Sequence, residues 1–103
     1  MVTPKQGDVF WIESETKRRP ALVVTRTQAI PVLNRVLVAP VTRSIRGIPT
    51  EIRLDRDQGL REPAAAAFDN MELIAKSFLT EKVGTLVSAE AEICLALEAL
   101  ADC

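Results

Sequence analysis

Arg19 stands directly before Pro20 at the head of the apolar run "PALVV". Thr42 closes a second apolar run, "RVLVAPVT", two residues after Pro40. A guanidinium grips a phosphate through two parallel N–H donors and stabilises negative charge that grows on it. A threonine hydroxyl donates one more hydrogen bond to a phosphate oxygen. Arg19 leads into one expected strand and Thr42 ends another, so adjacent strands of a barrel can bring them to one rim. Each has a structural reading as well. An Arg-Pro step commonly starts a strand, and a threonine at a strand end commonly belongs to the turn. The residues alone leave both readings open.

What the chain lacks narrows the chemistry. Its 103 residues include no histidine and no tyrosine. Proton transfer is left to Asp, Glu, Lys, Arg, Ser, Thr and Cys. Cys94 and Cys103 lie nine residues apart around an expected C-terminal helix. Nine helical residues rise about 13 Å, too far for a disulfide, so both read as free thiols. With no histidine and no cysteine cluster, neither a zinc site nor a Cys-His nucleophile can be assembled. "DRD" (55–57) offers two carboxylates, but in a polar loop it reads as a turn. The expected chemistry uses no metal and no cofactor and leans on arginine and hydroxyl groups.

The net charge of −1 hides an asymmetry. Residues 1–61 carry eleven Lys/Arg against six Asp/Glu, and residues 62–103 carry two against eight. From Lys17 to Thr50 there is no acid at all, while Lys17, Arg18, Arg19, Arg26, Arg35, Arg43 and Arg46 fall within that stretch. A basic face of this kind attracts a polyanion; the same pattern also suits a solvated surface.

The elements that must position these groups are mostly short strands. "GDVFWIE" (7–13) reads as a strand apolar on both faces, with Val9 and Trp11 on one and Phe10 and Ile12 on the other. "PALVVTR" (20–26) reads as the second strand, with Pro20 at its first position. "RVLVAPVT" (35–42) is the third and "TEIRL" (50–54) the fourth, with Ile52 and Leu54 on one face. "AAAAFDNMELI" (64–74) favours helix by its alanines, but its place among strands favours one or two short strands around Asp69-Asn70. "KVGTLV" (82–87) is a last strand. A helix follows, with Ser88 as its cap, Glu90 and Glu92 in its first turn, and Ile93, Leu97 and Leu100 on one face. The expected fold class is mainly β, a small barrel closed by a C-terminal helix, as one domain over residues 1–103. No run of 18 apolar residues suggests a membrane span, and "MVTPKQGDVF" lacks the pattern of a signal peptide. The expected location is cytoplasmic.

In order and spacing, "GDVFWIE", "RRPALVVT", "VLVAPVT" and "RGIPTEIRL", then the pair "DN" and "VGTLVSAEAEICLALEAL", resemble the MazF/PemK family of toxin endoribonucleases. The resemblance runs from Gln6 to about Leu100. It implies an SH3-like barrel with a C-terminal helix (the CcdB/PemK-type toxin fold), a homodimer, and sequence-selective, metal-independent cleavage of single-stranded RNA. It also implies a cognate antitoxin whose disordered C-terminal segment lies across the toxin dimer. The family's catalytic arginine falls on Arg19 and its catalytic hydroxyl residue on Thr42. Lys17, Arg18, Arg43, Arg46, Glu15, Asp69 and Asn70 are the expected RNA-contacting residues around them.

The implied reaction suits a chain without histidine. A ribose 2′-OH attacks the adjacent phosphorus and expels the 5′ oxygen, leaving a 2′,3′-cyclic phosphate and a 5′-OH. Arg19 stabilises the phosphorane, since its high pKa makes it a poor acid. This sequence departs from the family pattern in two places. Family members often carry a glutamate in a long, Gly-rich first loop; here that loop is only "SETKRR", and Glu13 and Glu15 are the two candidates for that glutamate's role as base. Glu72 stands where a cation is common. Two other functions share the fold: a gyrase-binding CcdB-like toxin and a non-catalytic nucleic-acid-binding module. The first depends on a Trp-Gly-Ile-type ending, and this chain ends "LEALADC".

Overall fold

Burial alternates along β1 (Asp8–Glu13) in a way that sets the architecture: Val9 is buried on one side of the sheet, Phe10 and Ile12 on the other. A strand apolar on both faces must be covered on both. In the computed structural model, which describes residues 3–101, a curled antiparallel sheet does so with a core on each side. The remaining elements are β2 (Arg18–Val23), β3 (Arg35–Thr42), β4 (Glu51–Leu54), β5 (Ala64–Ala67), β6 (Glu72–Ala75), β7 (Leu79–Thr85) and α1 (Ala89–Leu100). The strand order is β4-β5-β3-β2-β1-β7, with β6 added to β3. The result is a mainly β half-barrel with one C-terminal helix. No helix among the described residues is long and apolar enough to cross a membrane.

The first core gathers Val9, Leu22, Leu54, Phe68 and Leu86 under Ile93 and Ala96 of α1. The second packs Phe10, Ile12, Val23, Val36 and Val38 under Ile30 and Ile74. Each large side chain enclosed this way contributes about 1.5–3 kcal/mol of transfer free energy. Four alanines in β5 are all buried, so this segment is a strand by tertiary demand against its local helical preference.

The alanine-rich segment forms the two short strands that its place predicts, while the starts of β2 and β7 differ from those the sequence suggests. The "AAAAFDNMELI" segment forms two strands, β5 and β6, around a 3-10 turn at Phe68–Asn70. β2 begins at Arg18, so Pro20 is its third residue. The proline is tolerated there because pairing with β3 starts only at Ala21, leaving β2 free on that side. β7 begins at Leu79, ahead of the apolar "KVGTLV" motif, because Ile12 pairs with Leu79 and extends the ladder.

The helix face also differs. Ser88 takes a left-handed conformation (φ 62°) and makes no side-chain cap bond. The buried face of α1 is Ile93 and Ala96 with Leu97 beside them, while Leu100 is exposed. Cys94 is an exposed free thiol on α1; Cys103 lies outside the described residues. The "DRD" segment is indeed a turn. Asp55 accepts a hydrogen bond from the Asp57 N–H at 2.9 Å, and Gln58 accepts one from the Asp55 N–H at 2.8 Å.

Candidate active site

β2 pairs with β3 through Ala21–Pro40, Leu22–Ala39 and Val23–Val38. Continued two residues beyond its last pair, this register sets Arg19 opposite Thr42. Both then project from the sheet face that carries Ala21, Val23 and Val38, the face away from α1. The two residues come from separate strands, beyond the last β2–β3 pair: Arg19 pairs with Ile12 of β1 and Thr42 with Ala65 of β5. The Ser44 N–H donates to Thr42 Oγ1 at 3.1 Å, which fixes the oxygen and leaves the hydroxyl proton available to an incoming acceptor.

Arg19 is ion-paired through Nη2 to Glu72 Oε1 of β6. The side chains are 38% and 40% exposed, so the pair remains open to a ligand. They border a cleft of about 90 Å³, whose floor is Ile12, Ile74 and Phe78 and whose rim includes Ser14 and Lys17.

Alternation splits the two adjacent arginines. Arg18 points to the opposite face, where its guanidinium lies 4.1 Å from the Trp11 ring centre. There it also pairs with Glu13 at 3.2 Å and Glu81 at 3.1 Å. Glu13, one of two glutamates that position suggests as the base, is therefore committed to Arg18. Glu15, the other, is exposed in the turn between β1 and β2.

The remaining expected contacts form a second group past the end of β3. Arg46 donates to Glu51 at 2.8 Å and to Asp69 at 2.9 Å. The Glu51 side chain is only 3% exposed and also accepts from the backbone N–H groups of Arg46 (2.9 Å) and Gly47 (3.1 Å). Asp69 accepts a further bond from the Thr50 hydroxyl at 3.1 Å. Asn70 is exposed beside it. Arg43 reaches Glu62 at 3.1 Å from a largely exposed position. The stretch without acids in sequence is thus supplied with acids in space: Arg18, Arg19, Arg43 and Arg46 each hold a carboxylate from elsewhere in the chain. Lys17, Arg26 and Arg35 pair with no acid among the described residues.

Glu51 has the strongest local electrostatics. Burial pushes its carboxyl up, but the Arg46 guanidinium and the two backbone N–H groups outweigh that and hold it below the ordinary carboxylate value. Its hydrogen bond, followed by that of Asp69, raises Arg46 in turn. A depressed carboxyl contributes stability that is complete above the ordinary carboxylate range and is lost as pH falls through the folded value. Glu51→Gln is expected to lower the thermal midpoint at pH 7 by about 5–10 °C and to narrow its gap to wild type near pH 3. Melting curves at the two pH values check this; an equal gap at both would remove ionisation from the account.

Glu72 is the site residue that position in the sequence does not reveal. It enters because β6 pairs with β3, Glu72 opposite Val38. The only signal was a break in pattern, an acid where a resembling family carries a cation.

With this geometry in hand, the relatives are informative. Residues 5–101 match the family described as PemK-like, MazF-like toxin of type II toxin–antitoxin system. A Mycobacterium tuberculosis protein named probable endoribonuclease MazF5 is 38% identical over 97% of this chain and 94% of its own length. Among solved structures, the M. tuberculosis toxin MazF-mt6 superposes with a TM-score of 0.83 at 32% identity, covering 92% of this chain and 96% of that one. A MazE–MazF structure from Deinococcus radiodurans gives 0.76 at 25% identity, covering 97% and 96%. The chain therefore belongs to the PemK-like, MazF-like toxin family of type II toxin–antitoxin systems.

Proposed function

We propose that this protein is the toxin of a toxin–antitoxin pair and acts as a sequence-selective, metal-independent endoribonuclease on single-stranded RNA. The observation that carries this reading is family membership across residues 5–101. The alignment of Arg19 with Thr42 on an open face of the sheet supports it. In this reading residues 1–103 act as one toxin domain in the cytoplasm. Its partners are RNA, a second copy of itself, and a cognate antitoxin whose disordered C-terminal segment occupies the toxin dimer. The antitoxin follows from the family description and from a relative solved with MazE.

Arg19 grips the scissile phosphate and stabilises the phosphorane as charge accumulates on its non-bridging oxygens. The Thr42 hydroxyl donates to one of those oxygens. The 2′ oxygen forms the new bond to phosphorus, the P–O5′ bond breaks, and the O5′ leaves with its electron pair. Lys17, Arg43 and Arg46 hold neighbouring phosphates, with Glu15, Asp69 and Asn70 at the edges of the track; Arg18, expected among these contacts, faces the other side of the sheet against Trp11.

Incubating the purified protein with a long mixed-sequence RNA in excess EDTA tests the proposal. Discrete cuts are expected, each leaving a 2′,3′-cyclic phosphate and a 5′-OH, and a single 2′-deoxy substitution at a cut site should block that cut. RNA that is bound but left intact would favour a non-catalytic binding module.

A further inference from the structure

We propose that Glu72 is the general base that takes the 2′-OH proton, an assignment that rests on the endoribonuclease function proposed above. The cleavage step requires such a base, and the chain has no histidine to supply it. Three glutamates lie near Arg19 in sequence or space. Glu13 is held by Arg18 on the opposite face of the sheet. Glu15 sits exposed in the turn before β2. Glu72 alone touches Arg19.

The pairing is one-sided in a useful way. It engages Arg19 Nη2 and Glu72 Oε1. Arg19 Nε and Nη1 and Glu72 Oε2 have no hydrogen-bond partner among the described residues. The guanidinium can therefore receive a phosphate on its free edge while the carboxylate stays beside it. The attacking 2′ oxygen is joined to that phosphate through only the ribose C2′ and C3′ and the 3′ oxygen. Holding the phosphate on Arg19 thus brings the 2′-OH toward the free Oε2. Ile12, Ile74 and Phe78 line the same cleft and give it an apolar wall beside the carboxylate.

The step balances without a co-reactant. Glu72 accepts the 2′ proton as the O2′–P bond forms. The P–O5′ bond breaks, and the departing oxygen takes a proton from solvent. Glu72 then returns its own proton to solvent, and the enzyme is restored.

Glu72→Gln keeps the shape and removes the basicity. Its kcat is expected to fall about 100-fold or more, with KM little changed. The acid limb of the pH–rate profile should flatten. Glu72→Asp should retain part of the activity, and added formate should partly restore Glu72→Ala. Cleavage by Glu72→Gln at the wild-type rate or faster would overturn the assignment and make the carboxylate a restraint on Arg19. An acid limb that persists in Glu72→Gln but vanishes in Glu13→Gln or Glu15→Gln would overturn it too. Formate rescue keeps the test decisive if the glutamine variant folds poorly. If the wild-type protein cuts no RNA, the proposed function fails and the assignment with it; if wild type cuts and Glu72→Gln is undiminished, the assignment fails alone.

Discussion

Arg19→Ala is expected to lower the rate of RNA cleavage by about 10³-fold or more while leaving the thermal midpoint close to that of wild type. The two halves of this expectation have separate causes. Arg19 belongs to neither apolar core, and its ion pair with Glu72 is more than one-third exposed, so solvent already screens it. Its removal therefore costs little folding free energy. In the proposed mechanism the catalytic loss is large because the transition state gains negative charge against the Arg19 guanidinium. Cleavage assays on a defined RNA, read beside melting curves, separate the two effects. The comparison that decides is with Arg26→Ala and Arg35→Ala. If all three variants lose activity equally, Arg19 contributes general attraction for the polyanion and the catalytic role is withdrawn.

Gly7→Val carries the largest expected effect on stability, about 3–5 kcal/mol. Gly7 has φ +89°, where a β-branched side chain is strained. A Cβ there would lie 2.3 Å from the Ala89 Cβ and 3.3 Å from the Leu86 carbonyl oxygen. Neither neighbour can yield freely. The Gly7 N–H donates to the Val23 carbonyl at 2.9 Å, and the Gly7 carbonyl accepts from the Leu86 N–H at 2.9 Å. One residue thus ties the start of β1 to the end of β2 and to the chain entering α1. Displacing it disturbs the neighbouring Asp8, which is enclosed and accepts from the Lys5 N–H and the Thr85 hydroxyl, each at 2.9 Å. Urea unfolding of Gly7→Ala and Gly7→Val should show an ordered loss, alanine less than valine. A valine variant within about 0.5 kcal/mol of wild type would mean that helix and strand separate at this point without cost.

Much of the fold is legible because its strands carry their signal locally. "RVLVAPVT" is dense in β-branched residues and forms a strand over its full length. Ile52 and Leu54 share a face in sequence and share a core in space. The apolar character of both faces of β1 anticipated a core on each side, though Trp11 serves as a platform for Arg18 and is only half-buried. Arg19 and Thr42 fall opposite each other only when the β2–β3 register is continued two residues past its last pair. What local pattern cannot carry is the partner of each charge. Glu72 meets Arg19 across 53 residues, and Arg18 meets Glu81 across 63. Those meetings depend on where β6 and β7 join the sheet. Ser88 misleads for a related reason: a capping residue type suggests a side-chain bond, but the chain's route from β7 into α1 sets its backbone to the left-handed region.

The carboxylates that sit on the arginines have a consequence for how the protein meets its substrate. A bare basic groove binds any nucleic acid largely through the entropy of small ions set free into solution. Here Arg43 and Arg46 arrive with counterions that are covalently part of the chain. A phosphate that displaces one of these carboxylates still frees cations condensed on the nucleic acid, but it also returns an uncompensated carboxylate to water, which offsets part of the gain. The nonspecific part of the attraction is thereby muted, and the arginines are yielded only to a strand whose phosphates fit their positions. The tethered acids make the groove a discriminating surface where its sequence alone suggested an adhesive one.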